Sequence, residues 1–265
     1  MKRVIAAAIV GLVCAGTATA LTIHTGSVTV PPGRRGTVIA TCPPPTRAMF
    51  LGLKATVSVR AALELTSLGA GGRRAVASAI NPERPGKGTL TVIAYCGRRE
   101  ELRTVSASTS VAKGMQASAT AVCPPKTSVE FGGFRATIWP APGPEVTLNG
   151  LERISARKWR ASAVNLEGPS GKLTAIAYCG PGTRRLVAST KSVKVPYGKT
   201  KAVTASCPRG KTLAFGGFRS THYTDRFASI YPASLVRTGS HSWTVSGHKF
   251  VPLIGKLTAI VYCHA

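Results

Sequence analysis

Seven cysteines, five histidines and a single aspartate are the residues of this chain best equipped for chemistry, and their spacing narrows what that chemistry is. Zinc sites draw cysteines from short clusters such as C-x-x-C. No such cluster joins Cys42, Cys96, Cys123, Cys179, Cys207 and Cys263, which points to disulfides. A Ser-His-Asp triad would need Asp225 or a glutamate beside His24, His222, His241, His248 or His264, and no G-x-S-x-G accompanies them. Catalysis by paired carboxylates needs two acids across a cleft. Glu64 and Glu83 are the acids of residues 21–98, and Asp225 stands alone in residues 183–265. His222, His241 and His248 match no zinc pattern, and GAGGRR (69–74) reads as a hairpin turn rather than a phosphate cradle. A non-catalytic protein without cofactor or metal is expected. The rival is a secreted hydrolase built from those three histidines and Asp225.

The elements that position these residues announce themselves as a repeat of about 83 residues. GTLTVIAYC (88–96), GKLTAIAYC (171–179) and GKLTAIVYC (255–263) close three copies. CPPPTRAMFLGLKAT from Cys42, CPPKTSVEFGGFRAT from Cys123 and CPRGKTLAFGGFRST from Cys207 align without a gap. Gly33, Gly114 and Gly198 fall nine residues before the first cysteine of each copy, and Ala40, Ala121 and Ala205 fall two before it. Turn-like GRRE and GPGTRR set boundaries near Arg98 and Gly182. The repeat reduces fifteen possible pairings to one: Cys42–Cys96, Cys123–Cys179 and Cys207–Cys263. A unit of this size has a marginal core, and closing a loop of ~55 residues contributes roughly 4 kcal/mol.

Met1–Ala20 has the pattern of a secretory signal: Lys2 and Arg3, an apolar stretch from Val4 to Val13, then Ala18-Thr19-Ala20. Cleavage is expected after Ala20. Cys14 lies inside this segment, and Val13 and Gly11 do not make the flanks of a lipidation cysteine. No transmembrane helix is expected in the mature chain. The expected units are therefore 21–98, 99–182 and 183–265, secreted or associated with the cell envelope.

Each unit reads as β. Val38, Ala40 and Cys42 alternate, as do Leu90, Val92, Ala94 and Cys96, and Leu173, Ala175, Ala177 and Cys179. Six strands are expected per unit, in the first near Ser27–Val30, Thr37–Cys42, Met49–Thr56, Leu63–Leu68, Arg74–Ile80 and Thr89–Cys96. Phe131 and Phe134, like Phe215 and Phe218, are three apart, so a bulge at the intervening glycines is expected to turn both rings to one face. Trp159 and Trp243 lie 36 residues after their first cysteines and are expected in the core, with Ala75 near this position in the first unit. The fold class expected is all-β: three tandem small β-sandwiches, each with one internal disulfide.

The pattern C-P, G-G-F, Trp, then A-I-A-Y-C resembles repeats of uncharacterised secreted bacterial proteins, a resemblance that implies no activity. Immunoglobulin domains also bridge two sheets by a disulfide. Here Tyr95, Tyr178 and Tyr262 sit one residue before the second cysteine rather than two, and no Trp follows the first by a dozen or so residues, so a sandwich is expected outside that family.

The net charge is +26, from 35 Lys+Arg against 9 Asp+Glu. Residues 21–98 carry 10 basic residues and 2 acids, residues 99–182 carry 10 and 6, and residues 183–265 carry 13 and 1. Such a surface attracts polyanions by counterion release. The expected binding residues are Arg184, Arg185, Lys191, Lys194, Lys199, Lys201 and Arg219, the last recurring in register as Lys54 and Arg135. The expected partners are an anionic wall polymer, acidic polysaccharide or anionic lipid. A dedicated nucleic-acid site is not expected, because export and the lack of an aromatic stripe argue against one. A cationic inhibitor or antimicrobial protein is the remaining reading.

Overall fold

The computed structural model describes residues 21–56, 63–82, 85–137, 146–166, 169–182, 185–221, 230–250 and 255–265. The expected signal segment therefore lies outside the described residues, as do Arg184, His222 and Asp225. The described residues form strands and turns with no helix. Residues 21–98 give β1 (Thr22–Val30), β2 (Arg34–Thr41), β3 (Arg47–Ala55), β4 (Glu64–Gly71), β5 (Arg74–Asn81) and β6 (Gly88–Gly97). Residues 99–182 give β7 (Arg103–Val111), β8 (Gln116–Val122), β9 (Thr127–Ala136), β10 (Val146–Ser155), β11 (Lys158–Asn165) and β12 (Gly171–Pro181). Residues 183–265 give β13 (Leu186–Val195), β14 (Thr200–Ser206), β15 (Leu213–Ser220), β16 (Ile230–Arg237), β17 (Ser242–Lys249) and β18 (Gly255–His264).

The turn between the first two strands of each unit obeys turn chemistry. Gly33, Gly114 and Gly198 have φ of 65°, 69° and 66°, the left-handed conformation that a type II turn demands at its third residue. In each turn the N–H of the next residue donates to the carbonyl two before the glycine, Arg34 to Pro31, Met115 to Ala112 and Lys199 to Pro196. Each glycine N–H donates to a buried strand end, the carbonyl of Asn81, Asn165 or Lys249.

Sheets are shared between units. Their strand orders are β1-β6-β3-β16-β17-β14, β2-β5-β4-β9-β12-β7 and β13-β18-β15-β10-β11-β8. Three separate sandwiches in series would confine every sheet to one unit. Here each six-stranded sheet joins three strands of one unit to three of another, and each unit shares sheets with both of the others. The seams recur in register. Leu53 and Lys54 of β3 face Leu235 and Ser234 of β16. Phe134 and Arg135 of β9 face Leu68 and Ser67 of β4. Phe218 and Arg219 of β15 face Leu151 and Gly150 of β10. The apolar member of each pair is buried at both ends.

The three bridges form as the repeat predicts, Cys42–Cys96, Cys123–Cys179 and Cys207–Cys263. Each links two sheets, because the first cysteine follows β2, β8 or β14 and the second lies in β6, β12 or β18. Trp159 and Trp243 are buried, and their slot in the first unit is Ala75. Register fixes that equivalence: Ala121 faces Trp159, Ala205 faces Trp243 and Ala40 faces Ala75.

The bulge expected at the glycine pairs is displaced. β9 pairs regularly with β12 through Gly132 and Gly133, and the irregularity lies earlier, between Val129 and Phe131. Phe131 therefore faces Tyr178 and Phe134 faces Ala175, on opposite sides of the strand. Both rings are buried nonetheless. Phe131 stacks on Tyr178 at 4.3 Å, with the Arg99 guanidinium 4.8 Å over its other side. The glycines serve closeness instead. A β-carbon at Gly132 or Gly216 would overlap the indole of Trp159 or Trp243, and one at Gly133 or Gly217 would overlap the carbonyl of Leu68 or Leu151 across the seam.

Candidate functional site

The seams carry the polar chemistry of the interior. The tyrosine before each second cysteine reaches the neighbouring unit's fourth strand. Tyr95 Oη accepts from Arg237 N at 2.8 Å, Tyr178 Oη from Ala70 N at 2.5 Å and Tyr262 Oη from Arg153 N at 2.7 Å. Tyr262 also donates to the Arg153 carbonyl at 3.1 Å. Burial raises the pKa of all three phenols above the ordinary tyrosine value. These residues are structural, and the sequence hinted at them: an aromatic with a polar tip recurs on the strand face that alternation leaves outside the core.

Two clefts flank Tyr178 and Tyr262. The one beside Tyr178, of about 210 Å³, holds Arg47, Arg99 and Glu101, with Arg47 and Glu101 3.6 Å apart. The one beside Tyr262, of about 640 Å³, is lined by Arg153, Ser155, Leu186 and the expected binding residue Arg185. Arg185 occupies there the register position that Glu101 holds in the first cleft, so the acid is replaced by a base. Burial lowers the pKa of Arg153, and Glu130 opposes that shift.

The remaining expected binding residues fall on β13, on β14 and the turn between them, and on β15. Lys191 and Lys194 lie on β13, an edge of one sheet, and Lys201 lies on β14, an edge of another, with Lys199 in the connecting turn. All four are exposed, as is Arg185. Lys194 faces Lys256 directly across the β13–β18 ladder, a like-charge pair that sequence reading did not single out. Thr258, two residues from Lys256 and so on the same face, stands opposite Arg219. Lys194, Lys256 and Arg219 thus share one face of one sheet, whereas Lys201 belongs to another sheet. Arg219 is partly neutralised: its Nε lies 3.4 Å from Glu152 Oε2, and Glu152 also binds Arg160. Lys249 adds nothing to the surface, because it is wholly buried and burial lowers its pKa.

The histidines of the rival hydrolase do not meet where they are described. His241 precedes β17, exposed, with Ser240 Oγ at 2.6 Å from its Nδ1. His248 lies near the far end of β17, buried, with Thr200 Oγ1 at 2.8 Å. Seven residues of extended chain separate them by ~23 Å. Among the described residues no group of three or more His, Cys, Asp or Glu could hold a metal ion. No family model matches the chain, and no curated protein matches it significantly.

Proposed function

We propose that this is a secreted or envelope-associated, non-catalytic binding or structural protein that holds anionic polymers on its basic surface. Its three units, 21–98, 99–182 and 183–265, are read as sandwiches whose three-stranded halves are stapled by the disulfides. The disulfides are consistent with an oxidising, extracellular setting. The observation that carries the reading is Lys194 opposite Lys256 on an exposed edge. Like charges directly opposite destabilise a ladder. Lys191 lies on the same strand as Lys194, Lys199 and Lys201 lie on the turn and strand that follow it, and Arg185 lies beyond the strand's other end, and none of these six makes an ion pair among the described residues. A charge arrangement that works against folding is expected where it works for binding.

Replacing Lys191, Lys194, Lys199 and Lys201 by Ser should leave the unfolding midpoint unchanged or raise it slightly, because exposed lysines contribute little to stability and loss of Lys194 relieves the like-charge pair with Lys256. Retention on polyphosphate-coated beads should drop more than after the same change at Lys113, Lys126, Lys158 and Lys172 of the second unit. If about six anionic groups are neutralised on a duplex-like polymer, affinity should also fall ~10³-fold between 50 and 200 mM salt. Equal losses from the two quadruple variants would assign binding to net charge alone.

A further inference from the structure

The three basic residues that recur in register, Lys54, Arg135 and Arg219, stand at the same place in three rows that run across the sheets. In the first sheet, register places Ser27, Thr91, Lys54, Ser234, Ser246 and Ala202 side by side, one from each of the six strands. The second sheet repeats the order as Ser108, Thr174, Arg135, Ser67, Ser78 and Thr37. The third repeats it as Ser192, Thr258, Arg219, Gly150, Ser162 and Ser118. Each row is a hydroxyl pair, one cation at the seam between units, then further small or hydroxyl residues.

The hydroxyls are fixed in place by one another. Ser27 and Thr91 are 2.8 Å apart, and Ser108–Thr174 and Ser192–Thr258 are each 2.9 Å apart. Beyond the cation the second pairs are Ser234–Ser246 at 2.6 Å, Thr37–Ser78 at 2.9 Å and Ser118–Ser162 at 2.8 Å. A hydroxyl pair spends one O–H on itself and keeps one O–H and several lone pairs for a ligand. The three cations are exposed. Lys54 and Arg135 make no ion pair among the described residues, whereas Arg219 has Glu152. Strands lie ~4.8 Å apart, so a row of six positions is about 24 Å long.

We infer that these rows are three related tracks for an extended acidic polysaccharide, with a sugar carboxylate on the seam cation and sugar hydroxyls on the flanking pairs. One cation per 24 Å suits a chain whose charges are separated by neutral hydroxyl-bearing stretches. It undermatches DNA, which presents one charge per ~1.7 Å. No large apolar side chain belongs to any row, so nothing there would enter a lipid surface. The inference rests on the reading of the protein as a binder of anionic polymers and names the polymer and the place. Glu152 on the cation and the burial of Thr258 and Ser162 make the Arg219 track the weakest of the three.

The test is titration of the disulfide-bonded protein with a defined gellan oligosaccharide, which carries one glucuronate carboxylate per four sugars, compared with inorganic polyphosphate, duplex DNA, anionic phospholipid vesicles and an uncharged cello-oligosaccharide. Lys54→Ser combined with Arg135→Ser should weaken gellan-oligosaccharide binding at least tenfold and leave polyphosphate retention near the parent's. The quadruple lysine variant of β13, β14 and the turn between them should do the reverse. Ser108→Ala with Thr174→Ala, which leaves every charge in place, should weaken binding of the gellan oligosaccharide at least threefold. The proposal is overturned if the gellan oligosaccharide binds the Lys54/Arg135 variant as it binds the parent, or if polyphosphate, DNA or vesicles lose as much affinity for that variant. It is equally overturned if the cello-oligosaccharide competes. Loss of polyphosphate retention in neither quadruple variant would instead count against the broader reading.

Discussion

At the scale of single residues, the seams depend on what is missing from a side chain. Gly133 and Gly217 let the backbone of a neighbouring unit approach so closely that a β-carbon would meet the Leu68 or Leu151 carbonyl oxygen. Gly71, at the end of β4, has nothing within 4 Å of where its β-carbon would stand. Gly133→Ala should therefore cost about 2–3 kcal/mol in urea unfolding, since the backbone oxygen cannot rotate away as a flexible side chain would. Gly71→Ala should change the midpoint little or raise it. Equal effects would mean that the seam is looser than its geometry. The G-G-F repeat was visible in the sequence, but its reason was not. A glycine pair inside a strand is equally compatible with a bulge and with close approach by another strand. Only the partner's position, which lies in a different unit, separates the two.

Volume is exchanged between strands at the scale of elements. The second and third units pair a glycine with a tryptophan, Gly132 with Trp159 and Gly216 with Trp243. The first unit has Leu51 and Ala75 in the same two slots, both buried. Trp159→Ala alone should cost about 3–5 kcal/mol through the cavity it leaves. Adding Gly132→Leu, which copies the first unit, should recover part of that loss. Gly132→Leu by itself should destabilise, because the indole already fills the space. A double-mutant cycle on denaturation midpoints reads this coupling, and simple additivity would refute it. Most strand positions were legible from alternation, as were the turn glycines and the disulfides, because each is a local pattern repeated three times. The edge of β3, β9 or β15 was not. A strand's sequence says which face is buried, whereas its lateral neighbour is chosen among three near-identical units.

Across the whole molecule, the cyclic sharing of sheets makes the three units one cooperative object in a way that a linear repeat array is not. Removal of residues 183–265 would strip β16 from β3 and β15 from β10 together, leaving two unpaired apolar seams. Tyr95, Tyr178 and Tyr262 each put a buried phenol at one of these seams, and burial raises all three pKa values. Their protonated form is the one the fold holds. Below the unfolded tyrosine pKa of about 10 both states carry the proton, and this contribution to stability is constant. Above it the unfolded chain releases protons that the folded seams retain. Each phenol then lowers stability by about 1.4 kcal/mol per pH unit until its folded pKa is reached. Unfolding midpoints should hold level in this respect up to about pH 9.5 and fall steeply beyond pH 10. Phenolate absorbance of the three should appear together with the loss of β-sheet circular dichroism. Substituting all three by Phe should lower stability at pH 8, because each change leaves a seam N–H without its acceptor, and should flatten the alkaline slope. A slope that survives the triple substitution would move the alkaline transition away from the seams, to groups elsewhere in the protein.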